Sequence, residues 1–445
     1  MRAVVAIVAA LFAGGGAGCS RGGGPAEPAA VGSGAAAAVG SAAAAGSGAI
    51  TAAAAAPSKP GAAAEAPSRA VAVVECPVTF DADGAETDDE KVAALIEAAN
   101  KAIVDARFGE AWTCADRAAD LAPASVEAHH LRGASLAGLG RTAEAQVAYS
   151  LALALDPDDP ETLRAVADFY INGKGERGRD ALHLGLELAQ RGTRRVLARR
   201  RRAPALAADL ALLEGQALND LGRSDEALAR IDVALKHVPG RGDAQHERGV
   251  ALFDLSRFVE ARAAFAKALA IQPDDAYSHQ LLGFTLEQLG DAVGAERELA
   301  RATALAPGDV AAPVLITPAE LRREVDAIVA TLDPERRARL RDVRIEIVDL
   351  PDLTDLAAVR PPFPPTILGL YRGPLGRDAA GRGAAGRAQA PADPEPTSIV
   401  LYRKNLARAV KTRAELGVQI RETLLHEIGH LEGLDEDDLR RRGMD

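Results

Sequence analysis

The sequence predicts a mainly α chain, an α-α solenoid of stacked helix pairs followed by a small α+β domain. Three observations carry this prediction. Proline and alanine recur at intervals of 34 residues through the middle of the chain, as in Pro239, Pro273 and Pro307, and such a period is that of a two-helix unit. Val343–Val348 then alternates in strand fashion, and the run Thr397–Tyr402 reads as a second strand. Finally, Ile420, Leu424, Ile428 and Leu431 are spaced to share one face of a helix.

In chain order, Met1-Arg2 and the apolar run Val4–Ala13 have the form of a signal peptide, too short to span a membrane. The run ends in Gly16-Ala17-Gly18-Cys19, which resembles a lipoprotein signal, although Gly16 stands where leucine is favoured. That resemblance implies lipidation of Cys19; plain cleavage in a glycine-rich stretch is the alternative. Ser20 after the cysteine would place such a protein at the outer membrane, facing the periplasm of a bacterial cell envelope. Residues 20–72 are nearly all Ala, Gly, Pro and Ser. They cannot bury enough apolar surface to offset ordering, so a disordered tether is expected, with a reach of about 40 Å. Val71–Phe80 reads as a short β-like run, and the acidic stretch Asp81–Glu90 leads into a helix.

Cysteine is sparse: Cys19, Cys76 and Cys114. With Cys19 lipidated, a Cys76–Cys114 disulfide would pin the segment before the repeats onto the first of them. Cys114 equally suits a buried small-residue position in a helix pair. A net charge of −11 argues against nucleic-acid binding.

The repeat is defined by Pro123 and Pro157, then Pro239, Pro273 and Pro307, each group at intervals of 34. Ala111 and Ala145, and Ala227, Ala261 and Ala295, keep the same interval. The last four precede Tyr149, Ile231, Phe265 and Leu299 by four residues and another alanine by seven. Gly140-Arg141, Gly222-Arg223, Ser256-Arg257 and Gly290-Asp291 mark turns at matching phase. This pattern resembles the tetratricopeptide repeat, with about six units over residues 91–307. The resemblance implies a curved surface that binds a protein partner or an extended peptide. The interval from Pro157 to Pro239 is fourteen residues longer than two periods. We place that surplus near the basic run Arg194–Arg202, as a helix extension or loop whose charges form a solvated face or meet an acidic partner. The six histidines of this region have no acidic or cysteine neighbours at ligand spacing.

Past Pro313, Thr317-Pro318-Ala319-Glu320 reads as a helix start. Glu320–Thr331 and Glu335–Arg341 follow as helices and Val343–Val348 as a strand. Ile367–Tyr371 comes next, then the Gly/Ala/Arg/Pro-rich stretch 373–396, the strand Thr397–Tyr402 and a helix over Glu415–Glu432. The last helix carries His426-Glu427-Ile428-Gly429-His430. Histidines four apart project from the same side of a helix, so both imidazoles can face one zinc ion. Glu427 is placed to take a proton from water activated by the metal, which is the division of labour that peptide hydrolysis needs. Gly433 lets the chain turn back, so a third ligand can come from just beyond it. Glu436 is favoured, with Asp435, Asp437 and Asp438 as competitors.

The runs Val343–Pro351, Leu368–Gly373, Ser398–Leu406 and Leu424–Leu439, in that order, resemble the small zincin-like metallopeptidase family of bacteria. The resemblance spans residues 317–445. It implies a short, mostly antiparallel sheet packed on helices, with the H-E-x-x-H helix beneath the cleft. It also implies zinc as the metal, and an edge strand that pairs with extended substrate, for which Ser398–Tyr402 is the candidate. Tyr371, Tyr402 and Arg403 are candidates for oxyanion stabilisation, against core packing and surface charge as their alternatives. The reading of the whole is an envelope lipoprotein whose solenoid brings protein substrates to a zinc peptidase. The competing readings are a tetratricopeptide scaffold with an idle zincin domain, and a peptidase held latent until a partner docks.

Overall fold

In the computed structural model, the described residues are 3–5, 74–80, 87–173, 178–198, 203–373 and 397–443. Cys19, the stretch 20–72, Arg199–Arg202 and residues 374–396 lie outside them.

Twelve helices between residues 88 and 305 stack as six antiparallel pairs, each helix packing on its successor. The pairs are α1 (Asp88–Val104) with α2 (Phe108–Leu121), α3 (Val126–Gly138) with α4 (Thr142–Leu155), and α5 (Pro160–Asn172) with α6 (Arg179–Ala198). They continue as α7 (Pro204–Asp220) with α8 (Ser224–His237), α9 (Gly242–Asp254) with α10 (Phe258–Ile271), and α11 (Ala276–Gln288) with α12 (Ala292–Leu305). The large residues found at the repeat period have a common role. Tyr149, Ile231, Phe265 and Leu299 press on Gly133, Gly215, Gly249 and Gly283 of the preceding helix, where an added Cβ would meet them at 2.4–2.7 Å. Only glycine lets the two helices of a pair approach that closely.

The surplus between Pro157 and Pro239 is not one loop. Helix α6 has 20 residues where the other second helices have 14, and α7 has 17 where α3, α5, α9 and α11 have 13. Arg194–Ala198 of the basic run is therefore helix.

Within pairs, the chain turns through a left-handed residue: Gly140, Gly222 and Gly290, but also Ala106 (φ 56°) and Ser256 (φ 58°). A Cβ is strained there. Ser256→Gly is expected to raise stability by about 0.5–1 kcal/mol, read as a higher Tm; an unchanged or lower Tm refutes the strain.

Of the expected β-like run Val71–Phe80, the described part, Val74–Phe80, forms no strand, and among the described residues no strand lies beside it to offer a ladder. It is held instead by the Cys76–Cys114 disulfide, by Arg117 donating to the Val78 carbonyl at 2.8 Å, and by the Arg117 guanidinium over the Phe80 ring.

Beyond the solenoid come α13 (Pro318–Thr331), α14 (Pro334–Arg339), β2 (Arg344–Val348), α15 (Leu353–Leu356), β3 (Gly369–Gly373), β4 (Ser398–Tyr402), α16 (Arg403–Arg408), α17 (Arg413–Leu431) and α18 (Glu436–Arg441). With β1 (Ala3–Val5), the strands form a sheet of order β1-β3-β4-β2. Strand β4 runs parallel to β2 and antiparallel to β3, and β1 pairs antiparallel with the outer side of β3. Two of the three pairings are antiparallel, in keeping with a mostly antiparallel sheet. One expectation is corrected: Ser398–Tyr402 is an interior strand, bonded on both sides with all five residues buried, so it has no free edge to offer a peptide. One face of the sheet, with Tyr371, Ile399 and Leu401, packs against Leu321 and Val325 of α13 and Leu416, Ile420, Leu424 and Ile428 of α17. The other face, with Leu370, Val400 and Tyr402, joins Leu356 and Ile367 in one apolar cluster with Phe253, Phe265 and Phe284 of the solenoid. Burial of both faces explains why Ile399–Tyr402 is apolar without alternation.

Candidate metal centre

Helix α17 begins in a capping box: the Thr412 hydroxyl accepts from the Glu415 amide at 3.2 Å, and the Glu415 carboxylate accepts from the Thr412 amide at 3.2 Å. Two exposed donors are thereby satisfied at the helix start. Ile420, Leu424 and Ile428 are fully buried against the sheet, and this contact sets the rotation of the helix. The same rotation buries Glu427 and His430 completely and His426 almost so.

The helix ends at Gly433, which has φ 83°. Its amide bonds to the His430 carbonyl and the Leu434 amide to the Gly429 carbonyl, each at 3.0 Å; this is a Schellman closure, and it needs a residue that tolerates positive φ. The turn returns the chain across the helix end. His430 Nδ1 then lies 2.9 Å from the Leu434 carbonyl. A carbonyl only accepts, so Nδ1 carries the proton and Nε2 presents its lone pair. Arg336 fixes the same helix end to α14 through Glu432 at 3.0 Å.

Asp435 caps α18 by accepting from the Asp438 amide at 2.8 Å, which places Glu436 at the first helical position. Its carboxylate lies 3.6 Å from His426 Nε2 and 3.5 Å from His430 Nε2. Burial pushes the Glu436 pKa up, but the contacts with His426 and His430 outweigh it and hold it at about 2. Of the four acidic residues considered as third ligand, the structure brings Glu436 to the histidines. Asp435 and Asp438 serve the cap, and Asp437 pairs with Arg440 at 3.2 Å.

One ligand atom from each of His426, His430 and Glu436 lies within 4.8 Å of the others. His430 Nε2 is buried with no hydrogen-bond partner. An orphaned imidazole lone pair facing a second imidazole and a carboxylate is the donor set of a zinc site with an open fourth position, so the residues fit that metal.

Two of the aromatic and basic candidates are engaged elsewhere. Tyr402 points to the solenoid face of the sheet, donating to Asp355 at 2.8 Å, and burial pushes its pKa up. Arg403 binds Asp349 and the Ile316 carbonyl. Tyr371 is on the α17 side, buried in the core.

Gly369 was not anticipated. A Cβ there would meet Thr423 at 2.7 Å and Glu427 Oε1 at 3.0 Å, so the backbone of β3 lies directly on the Glu427 carboxylate. A glycine opening a strand is the sequence signal of such an approach.

A family model described as zincin-like metallopeptidase matches residues 340–444, and tetratricopeptide-repeat models match 126–159, 212–276 and 252–313. The chain combines tetratricopeptide repeats with a C-terminal zincin-like metallopeptidase domain. Zinc binding is a general property that such a domain implies, as protein–protein interaction is of the repeats. No curated protein matches the chain. Among solved structures, pilF of Pseudomonas aeruginosa is similar at 16% identity, over 50% of this chain and 95% of that one, with a TM-score of 0.43. PilW, described as a widely conserved type IV pilus biogenesis factor, is similar at 18% identity over 49% and 96%, also with a TM-score of 0.43. YrrB, described as a TPR protein with an unusual peptide-binding site, is similar at 17% identity over 44% and 93%, with a TM-score of 0.34.

Proposed function

We propose that this protein is a zinc-dependent peptidase in which His426, His430 and Glu436 hold the metal and Glu427 is the general base. The observation that carries the reading is the convergence of those three donors beside a buried carboxylate. Zinc bound there would supply Lewis-acid polarisation of a peptide carbonyl and activation of water at neutral pH. The Glu427 carboxylate would take the proton of the attacking water and pass it to the departing amine. The Leu434 carbonyl holds His430 in the tautomer that binds metal, and Gly369 keeps the Glu427 carboxylate confined.

The proposal extends to the rest of the chain. Repeats over residues 91–307 recruit protein substrates to the peptidase domain of residues 317–445. Lipid on Cys19, exposed by removal of the preceding leader and of β1 with it, would anchor the protein in the bacterial envelope, facing the periplasm from the outer membrane. No helix among the described residues is long and apolar enough to cross a membrane.

The purified full-length protein should contain about one zinc per chain and cleave members of a peptide library, and removal of the metal by a chelator should abolish cleavage. A protein that takes up no zinc at micromolar supply overturns the peptidase reading. One observation favours latency as the second reading: Glu427 is fully buried and only Glu436 of the metal-facing set is appreciably exposed. Zinc without cleavage, with cleavage appearing when a partner protein is added, would decide for it.

A further inference from the structure

We propose that the last two helix pairs of the solenoid are a structural layer of the metal-binding domain, and that Glu287 in α11 is a positioning residue for its site. The inference rests on the zinc reading above only for its functional consequence; the coupling itself is a matter of packing.

Among the described residues, the solenoid face of the sheet is covered by Leu356 and Ile367 of its own domain and otherwise by the solenoid. Leu370, Val400 and Tyr402 are fully buried, and the cluster that buries them is completed by Leu252, Phe253, Phe258, Phe265, Leu281 and Phe284. A flexibly linked peptidase domain would instead expose this face. Glu287 pins the contact. Its side chain is 8% exposed, accepts from Lys404 Nζ at 2.9 Å and pairs with Arg408, whose guanidinium lies 4.6 Å over the Phe284 ring. Both cations are on α16.

Between them on α16, Asn405 donates to the carbonyls of Pro365 at 2.9 Å and Ile367 at 2.7 Å. Ile367 precedes by two residues Gly369, whose backbone lies on Glu427. Glu287 therefore fixes α16, α16 fixes the entry to β3, and β3 confines the proposed general base. A carboxylate buried between two cations is the kind of group whose loss is strongly felt, because the partners are left charged and unpaired.

Hydrogen exchange of the metal-free full-length chain, together with Zn2+ titration of the same samples, tests this. In Glu287→Lys, amides of β3, β4 and the His426–His430 turn of α17 should exchange about 100-fold faster than in the native chain, while α3 to α8 stay unchanged. Zn2+ affinity should fall with them. Adding Arg408→Glu restores an opposite charge across the contact and should recover at least about tenfold of the protection. If Glu287→Lys unfolds the whole chain, Glu287→Gln replaces it, with the same pattern at about a tenth of the effect. Changes confined to α11 and α16, with β3 and α17 at native protection, overturn the proposal, as does an absence of recovery in the double variant. A native chain that binds no Zn2+ but shows the coupled exchange overturns the zinc reading and leaves the structural layer standing.

Discussion

Glu427→Gln is expected to lower peptide hydrolysis by about 10²–10⁴-fold while zinc content and Tm stay close to native. The exchange is nearly isosteric, which matters because Glu427 is fully buried and in contact with the backbone of Gly369. An amide occupies the same space but cannot take the proton of the attacking water. The metal donors are untouched, so binding and catalysis separate cleanly. Initial rates on a cleaved peptide, set beside metal analysis of the same preparation, give the result. Hydrolysis that survives the substitution would mean that another group is the base. Loss of zinc along with activity would place Glu427 among the donors instead of beside them.

Glu436→Ala is expected to weaken zinc binding by more than the ~10–100-fold typical of outer-shell changes. Its carboxylate is the acidic group lying 3.5–3.6 Å from both imidazoles, and without it two histidines remain. The fold should persist, because the start of α18 depends on Asp435 and Asp438 and not on Glu436. Asp437→Ala is the matched control: it removes a nearby carboxylate that pairs with Arg440 at 3.2 Å, and its affinity should equal the native value. Competition against a chromophoric chelator measures both. Equal affinities for Glu436→Ala and native protein would remove Glu436 from the donor set.

Much of this was legible in the sequence because it is local. The helix pairs announce themselves through a fixed period, and the helix of the candidate metal site through its spacing of Ile420, Leu424 and Ile428. The role of Tyr149 or Phe265 needed the structure, yet the partner glycines Gly133 and Gly249 recur in the same phase and would have disclosed it. Part of the arrangement around the four acidic residues was also readable. Asp435 and Asp438 stand at the spacing of a capping box, which engages both at the start of α18. Strand order was not readable, since pairing joins residues far apart. The interior place of Ser398–Tyr402 left one trace, an unbroken apolar run where an edge strand would alternate. Glu287 left none. Its partners are 117 and 121 residues away, and nothing near it in the chain marks it as buried.

The ends of the helical array differ from its middle. At one end Val74–Phe80 lies over the first pair, tied through Cys114 of α2. At the other, the apolar residues of the last two pairs are taken up by the sheet. In a bare array the leading and trailing faces are complementary, since each is the surface that an inner unit would bury, and copies can add head to tail without closure. Here, among the described residues, the leading pair carries Val74–Phe80 and part of the trailing pairs is taken up by the sheet, so a second copy adding at either end would have to displace a segment of the same chain.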